Sequence, residues 1–138
     1  MLTLSDLLLR TALLELKSRR RGRQSLIDFA QAIEIPGAPV SDDPDEWLFN
    51  PIETVVASHH LLLMQAFERT IARRHGRLMI FMPPGSAKST YASVVSPTYV
   101  MGKIPNYKII LASYGQDLAR RHGRRARQIV KSERFSSM

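Results

Sequence analysis

Leu4, Leu7, Leu8, Thr11 and Leu14 recur at helical spacing, and Thr3 and Asp6 stand three apart as in a capping box. The pattern predicts a helix from about residue 4, its leucine stripe packed against the domain or a partner. Ser25 and Asp28 repeat the capping spacing and open a second, short helix through Phe29 to Ile33, which Pro36 and Gly37 stop. Residues 37–51 are rich in Pro, Asp and Glu and read as a surface connection. Within it Asp43 and Pro44 start a brief helical turn, and Trp47 and Phe49 tether the segment to the core. Val55, Val56, Leu62, Leu63, Phe67 and Ile71 then predict a long helix over 52–74, closed by His75 and Gly76.

The period changes at residue 78. Leu78, Met79, Ile80, Phe81 and Met82 form an unbroken apolar run, which reads as a strand buried on both faces. Residues 88–100 are helical in character, with Pro97 bending the helix or ending its first portion. Gly102, Pro105 and Asn106 make the next turn, and a second apolar strand runs over 108–113. Strand, helix and strand at this length imply a right-handed parallel crossover. The last helix, over 116–131, turns Leu118, Ile129 and Val130 inward and Arg120, Arg121, Arg124, Arg125 and Arg127 outward, to solvent or to a polyanion. The expected fold class is therefore α/β, with a helical arm and surface linker over 1–50 and an incomplete α/β domain over 51–138.

A chain of 138 residues, 44% of them apolar, has room for one core-bearing domain. The absence of Cys excludes disulfides and cysteine-ligated metal centres. A net charge of +8 favours polyanionic partners, whether nucleic acid, nucleotides or an anionic membrane surface. No apolar run approaches the roughly 20 residues that a membrane-spanning helix needs, and Asp6 and Arg10 interrupt the leucine-rich start where a signal peptide would keep its apolar core. These features predict a cytosolic protein. His59 and His60 are adjacent, so one helical face cannot offer both to a metal.

The chemistry concentrates where the first apolar run ends. Pro83, Pro84 and Gly85 form a turn that hands the chain to Ser86, Ala87, Lys88, Ser89 and Thr90. A loop that leaves an extended run and opens a helix presents several backbone N–H groups inward, and a polyphosphate fits there. Lys88 would reach the β- and γ-phosphates as a point charge, and the Ser89 hydroxyl would lie on Mg²⁺. The phosphate-loop pattern asks for Gly where Met82 and Ala87 stand, so of its fixed positions only Lys88 and Ser89 are met. A basic turn capped by Ser and Thr is the plain alternative. Ser113, Tyr114, Gly115 and Gln116 are expected at the same sheet edge as the loop.

From about Ser25 onward the chain resembles the N-terminal ATPase region of large terminase subunits, the motors that drive double-stranded DNA into the procapsids of tailed bacteriophages. The residues that carry the resemblance are Ser25 to Phe29, the His59 and His60 helix start, the stretch over 77–90 and the stretch over 108–119. The family tolerates the departures at Met82 and Ala87. The resemblance implies a partial phosphate-loop NTPase core that binds ATP and Mg²⁺, with Lys88 as the phosphate lysine and Ser89 as the Mg²⁺ ligand. Thr90 would lie beside Ser89, and Pro84, Gly85, Ser86 and Ala87 would line the loop, the last three supplying backbone N–H groups. The helix near His59 would cover the adenine, with Gln65 as its polar candidate. Implied partners are double-stranded DNA, a terminase small subunit, a portal protein and further copies of the chain, in the cytoplasm of a bacterial host. Some members carry an arginine inside this loop; here any such group must come from elsewhere, with Arg120, Arg121 and Arg124 as candidates by position.

A phosphate-loop ATPase also needs a strand ending in an acidic pair to hold Mg²⁺ and polarise water, and no strand here is expected to end that way. Full-length relatives implied by the resemblance are ATPases and endonucleases, so the chain reads as the front portion of such a motor, one that binds nucleotide weakly at best and does not turn it over. Two other readings stay open. In one the chain is a noncatalytic nucleic-acid-binding or assembly piece, its loop vestigial and its basic runs at Lys17, Arg19, Arg20, Arg21 and Arg23 and at Arg120 to Arg127 doing the binding. In the other the chain is part of a helicase-like ATPase.

Overall fold

The computed structural model describes residues 4–36, 49–50 and 56–138. The expected cap at Thr3, the turn at Asp43 and Pro44, and the Trp47 tether lie outside them. Helix α1, Leu4–Gly22, begins where the sequence places it, but its leucines do not pack into the domain: Leu4 is 76% exposed and Leu14 65%. Its main neighbour is the short α2, Leu26–Ala32, which meets the C-terminal end of α1, where Gly22 is buried against Ala32 and Met138. A helical stripe records what a helix can cover, and among the described residues little beyond α2 lies beside α1.

The capping signal at Ser25 is realised. Its hydroxyl oxygen accepts from the Asp28 N–H at 3.0 Å, and its hydroxyl lies 2.7 Å from the Asp28 carboxylate. This holds the first turn of α2 and sets Leu26, Phe29 and Ala30 into the core. Helix α3, Ser58–Ile71, crosses α2 and buries Leu63 and Met64, while Leu62 of the expected stripe faces out. Gly76 closes the turn after α3, where a Cβ would collide with the Thr70 carbonyl oxygen. The Glu68 carboxylate ties α2 and α3 to the later helix that carries Tyr99. It accepts the Leu26 N–H at 2.8 Å and the Tyr99 hydroxyl at 3.2 Å, the latter kept protonated by its burial.

Residues 88–103 form one continuous helical stretch: α4, Lys88–Thr90, a π-helical segment Tyr91–Val95, and α5, Ser96–Lys103. Pro97 neither ends the stretch nor interrupts its burial. It brings no N–H to the Ser93 carbonyl, and the preceding turn widens instead, so the Ser96 N–H and hydroxyl both reach back five residues to the Tyr91 carbonyl. Tyr91, Val94, Val95, Tyr99 and Val100 fill the core between α2, α3 and α6, Gln116–Lys131. Phe135, in the short α7, Glu133–Ser136, meets Phe29 edge to face at 6.1 Å.

The parallel α/β core expected from the sequence is not formed. Among the described residues the only β structure is a two-residue antiparallel pair, β1, Ile35–Pro36, with β2, Phe49–Asn50. Residues 78–82 and 108–113 are irregular, without a ladder between them or a crossover joining a sheet. Side chains in the first run still alternate: Ile80 and Met82 pack on the core, whereas Phe81 is 86% exposed. Apolar alternation is a local property, but a strand needs a hydrogen-bonding neighbour, and the helix between the two runs packs on α2, α3 and α6 instead of on a sheet. Among the described residues no helix is long and apolar enough to cross a membrane.

His122, on the inner side of α6, is buried, and its Nδ1 has no hydrogen-bond partner. Burial, reinforced by the Arg125 and Arg121 guanidiniums, holds this imidazole below its ordinary value. The folded chain therefore takes up this proton less readily than the unfolded chain does. Stability tied to neutral His122 is complete above about pH 6.5 and is lost as pH falls through the lower folded value. Thermal melting followed from about pH 7.5 down to about pH 5 should show a falling midpoint, and His122→Leu should flatten that fall. An equal acid sensitivity in the variant would assign it to other groups.

Candidate functional site

The loop over 83–90 leaves the irregular apolar run and enters the helical stretch at Lys88. Two residues in it hold left-handed backbone: Gly85, at φ 78°, where no Cβ is needed, and Ala87, at φ 51° and ψ 19°. An L-residue with a Cβ is disfavoured there by roughly 1–2 kcal/mol, so neighbouring structure must hold Ala87 in place. Ala87 occupies the position where the phosphate-loop pattern has its second Gly. Its conformation is the one such a Gly supplies.

The hydrogen bonding inside the loop is selective. Ser86 folds back on Pro83, whose carbonyl accepts the Ser86 hydroxyl at 2.7 Å and the Ser86 N–H at 3.4 Å. Among the described residues no protein acceptor is recorded for the N–H groups of Gly85, Ala87, Lys88 and Ser89. Alternating right- and left-handed residues with unpaired amides form the kind of nest that binds an anion. Lys88 is half-buried and makes no ion pair among the described residues; Ser89 is exposed and Thr90 half-buried beside it. Free amide donors and one ammonium without an ion-pair partner among the described residues suit a polyphosphate.

One contact here has no counterpart in the sequence reading. His60, in the first turn of α3, places Nε2 2.9 Å from the Ser86 carbonyl oxygen. A carbonyl only accepts, so Nε2 carries the proton. The same ring stacks on Tyr91 at 4.2 Å between centroids, with His59 4.0 Å away on α3, and its buried Nδ1 is unpartnered. The pair of histidines, which the sequence shows to be unable to share a metal from one helical face and which marks the start of the resemblance's adenine-covering helix, thus contributes a brace on the loop. Among the described residues no cluster of three or more His, Asp or Glu side chains forms a metal site. A magnesium ion held by the Ser89 hydroxyl and by bound phosphates does not require such a cluster.

Beside the loop a cleft of about 690 Å³ opens between α3 and residues 78–86, walled on the α3 side by His59, Leu62, Leu63 and Ala66. Gln65 is exposed and is not part of that wall. Pro83, Pro84, Gly85 and Ser86 line its far rim. The cleft is apolar, as a base-binding surface would be. On the opposite flank α6 packs against the π-helical segment and exposes Arg120, Arg121, Arg124, Arg127 and Lys131, a basic face next to a core built from Ile129 and His122. Ser113 and Tyr114 are exposed, and Tyr114 is 98% so. No family model, curated protein or solved structure matches the chain.

Proposed function

We propose that the chain is the ATP-binding part of a DNA-packaging motor of the large-terminase type, with the triphosphate on the loop over 83–90. The observation that carries this reading is Ala87, a non-glycine residue in left-handed backbone immediately before Lys88, among amides that have no acceptor among the described residues. Nucleotide binding in this reading rests on the loop geometry, and the motor type on the resemblance carried by residues 25–29, 59–60, 77–90 and 108–119. Lys88 would bind the terminal phosphates, Gly85, Ala87 and the following amides would cradle them, and Ser89 would share Mg²⁺ with them. The ion, when bound, would neutralise phosphate charge; the chain's own residues would hold and orient the nucleotide. Titration of the purified chain with ATP and Mg²⁺, beside Lys88→Ala, tests it.

A second reading is favoured by the exposed basic face of α6: binding of duplex DNA without nucleotide chemistry. Reversing Arg120, Arg121 and Arg124 together to Glu is expected to weaken duplex binding and to lower the slope of log affinity against log salt by about 2 to 3, one contact contributing about 0.9. Fluorescence anisotropy over a salt series measures both. Lys88→Ala should leave that DNA affinity unchanged. A chain that binds DNA through these arginines and shows no ATP binding at all would favour the second reading over the first.

A further inference from the structure

We infer that His60 is a positioning residue for the anion loop: its Nε2–H holds the Ser86–Ala87 peptide in the orientation that turns the Ala87 N–H toward the bound phosphate. The inference rests on the phosphate-loop reading given above. Its physical basis is the peptide plane. The Ser86–Ala87 peptide is trans, and in a planar trans peptide the carbonyl and the N–H point in opposite directions. With the Ser86 carbonyl bound to His60 at 2.9 Å, the Ala87 N–H is directed away from α3.

The same peptide sets the strain at Ala87. Flipping a peptide plane changes ψ of the residue before it and φ of the residue after it, so rotating the Ser86–Ala87 unit would carry Ala87 from φ 51° into the negative range that an alanine prefers. That flip would also bring the Ser86 carbonyl, a negative dipole end, to the position of the amide. The intrinsic preference of Ala87 therefore works against the anion-binding conformation, and the contact from His60 opposes it. Gly at this position would need no brace. Ala does, and the ring that provides it is itself held between Tyr91 and His59.

Three substitutions separate positioning from bulk. His60→Phe keeps the stack on Tyr91, removes the donor, and also removes the unpartnered Nδ1. His60→Asn keeps an amide too short to reach the carbonyl from Nε2's place, and His60→Gln puts an amide N–H there. Titration with ATP and Mg²⁺ should give dissociation constants about fivefold to tenfold higher for Phe and Asn, the effect of one lost hydrogen bond. Gln should restore most of the affinity, and the melting temperature of the Phe variant should not fall below that of the parent chain. Without ligand, the amide-to-α-proton coupling of Ala87 reports its φ by NMR and should change in the Phe and Asn variants only. Unchanged affinity in the Phe variant, or an unchanged Ala87 coupling, would overturn the role of His60. If neither the parent chain nor Lys88→Ala binds ATP, the phosphate-loop reading fails by itself, and the ligand-free coupling still decides whether His60 sets this peptide.

Discussion

Replacing Lys88 by alanine is expected to weaken binding of ATP with Mg²⁺ by roughly a hundredfold, which corresponds to about 3 kcal/mol. Hydrogen bonds from a charged donor contribute about 1.5–3 kcal/mol each, and an ammonium at the mouth of the loop can make more than one to adjacent phosphates. The fold should be untouched. Lys88 is half-buried and has no ion-pair partner among the described residues, so its removal leaves no carboxylate unpaired, and the melting temperature should stay within a degree or two of the parent value. Lys88→Arg should recover only part of the affinity, because the guanidinium fork is larger than the point charge that the narrow loop admits. Isothermal titration of the three proteins measures the series. Equal affinities for the parent chain and the alanine variant would remove Lys88 from the site and with it the phosphate-loop reading.

How far this site was legible from residue order depends on which residue is asked. Lys88 and Ser89 could be placed at a helix entrance because Pro84 and Gly85 break the preceding run, and that is a local signal. Ala87 could not be read as left-handed. Pattern counting treats it as a departure from Gly, whereas the backbone shows the conformation retained despite the Cβ. His60 lies 26 positions from Ser86, and no spacing rule connects a histidine in one helix to a carbonyl in a later loop. Gln65, chosen for its polarity within α3, turns to solvent, since the wall facing the cleft is formed by His59, Leu62, Leu63 and Ala66.

The same division runs through the fold. Ser25 and Asp28 announce α2 correctly because a cap is made by atoms three residues apart. Residues 78–82 keep the alternation expected of a strand, yet they lack a pairing neighbour among the described residues, and pairing is decided far along the chain. Pro97 marks a real perturbation of helix geometry, but what the sequence leaves open is whether the helix breaks or widens. The packing of Val94, Val95 and Tyr99 on both sides of it favours continuity, and the π-helical turn supplies it.

Leu26 and Leu14 offer the sharpest test of that distinction between local pattern and tertiary placement. Both are leucines in helices expected from the sequence, and Leu14 belongs to a stripe expected to pack against the domain or a partner. Leu26 is 0% exposed and Leu14 65%. Leu26→Ala removes apolar volume from the junction of α2, α3 and α5 and should cost about 2–5 kcal/mol, the range for leucine cavities in closed cores. Its backbone N–H stays bonded to Glu68, so the loss reports packing and not the polar link. Against a total stability of roughly 5–15 kcal/mol for a domain of this size, that change would bring the chain close to unfolding at room temperature. Leu14→Ala, on the open face of α1, should shift stability by no more than about 0.5 kcal/mol, and alanine's higher helix propensity pulls in the stabilising direction. Urea titrations followed by circular dichroism would show a large drop in midpoint for the first variant and none for the second. Equal losses at both positions would mean that the leucine face of α1 is covered in solution and that α1 belongs to a larger core than the one formed by α2, α3, α5 and α6.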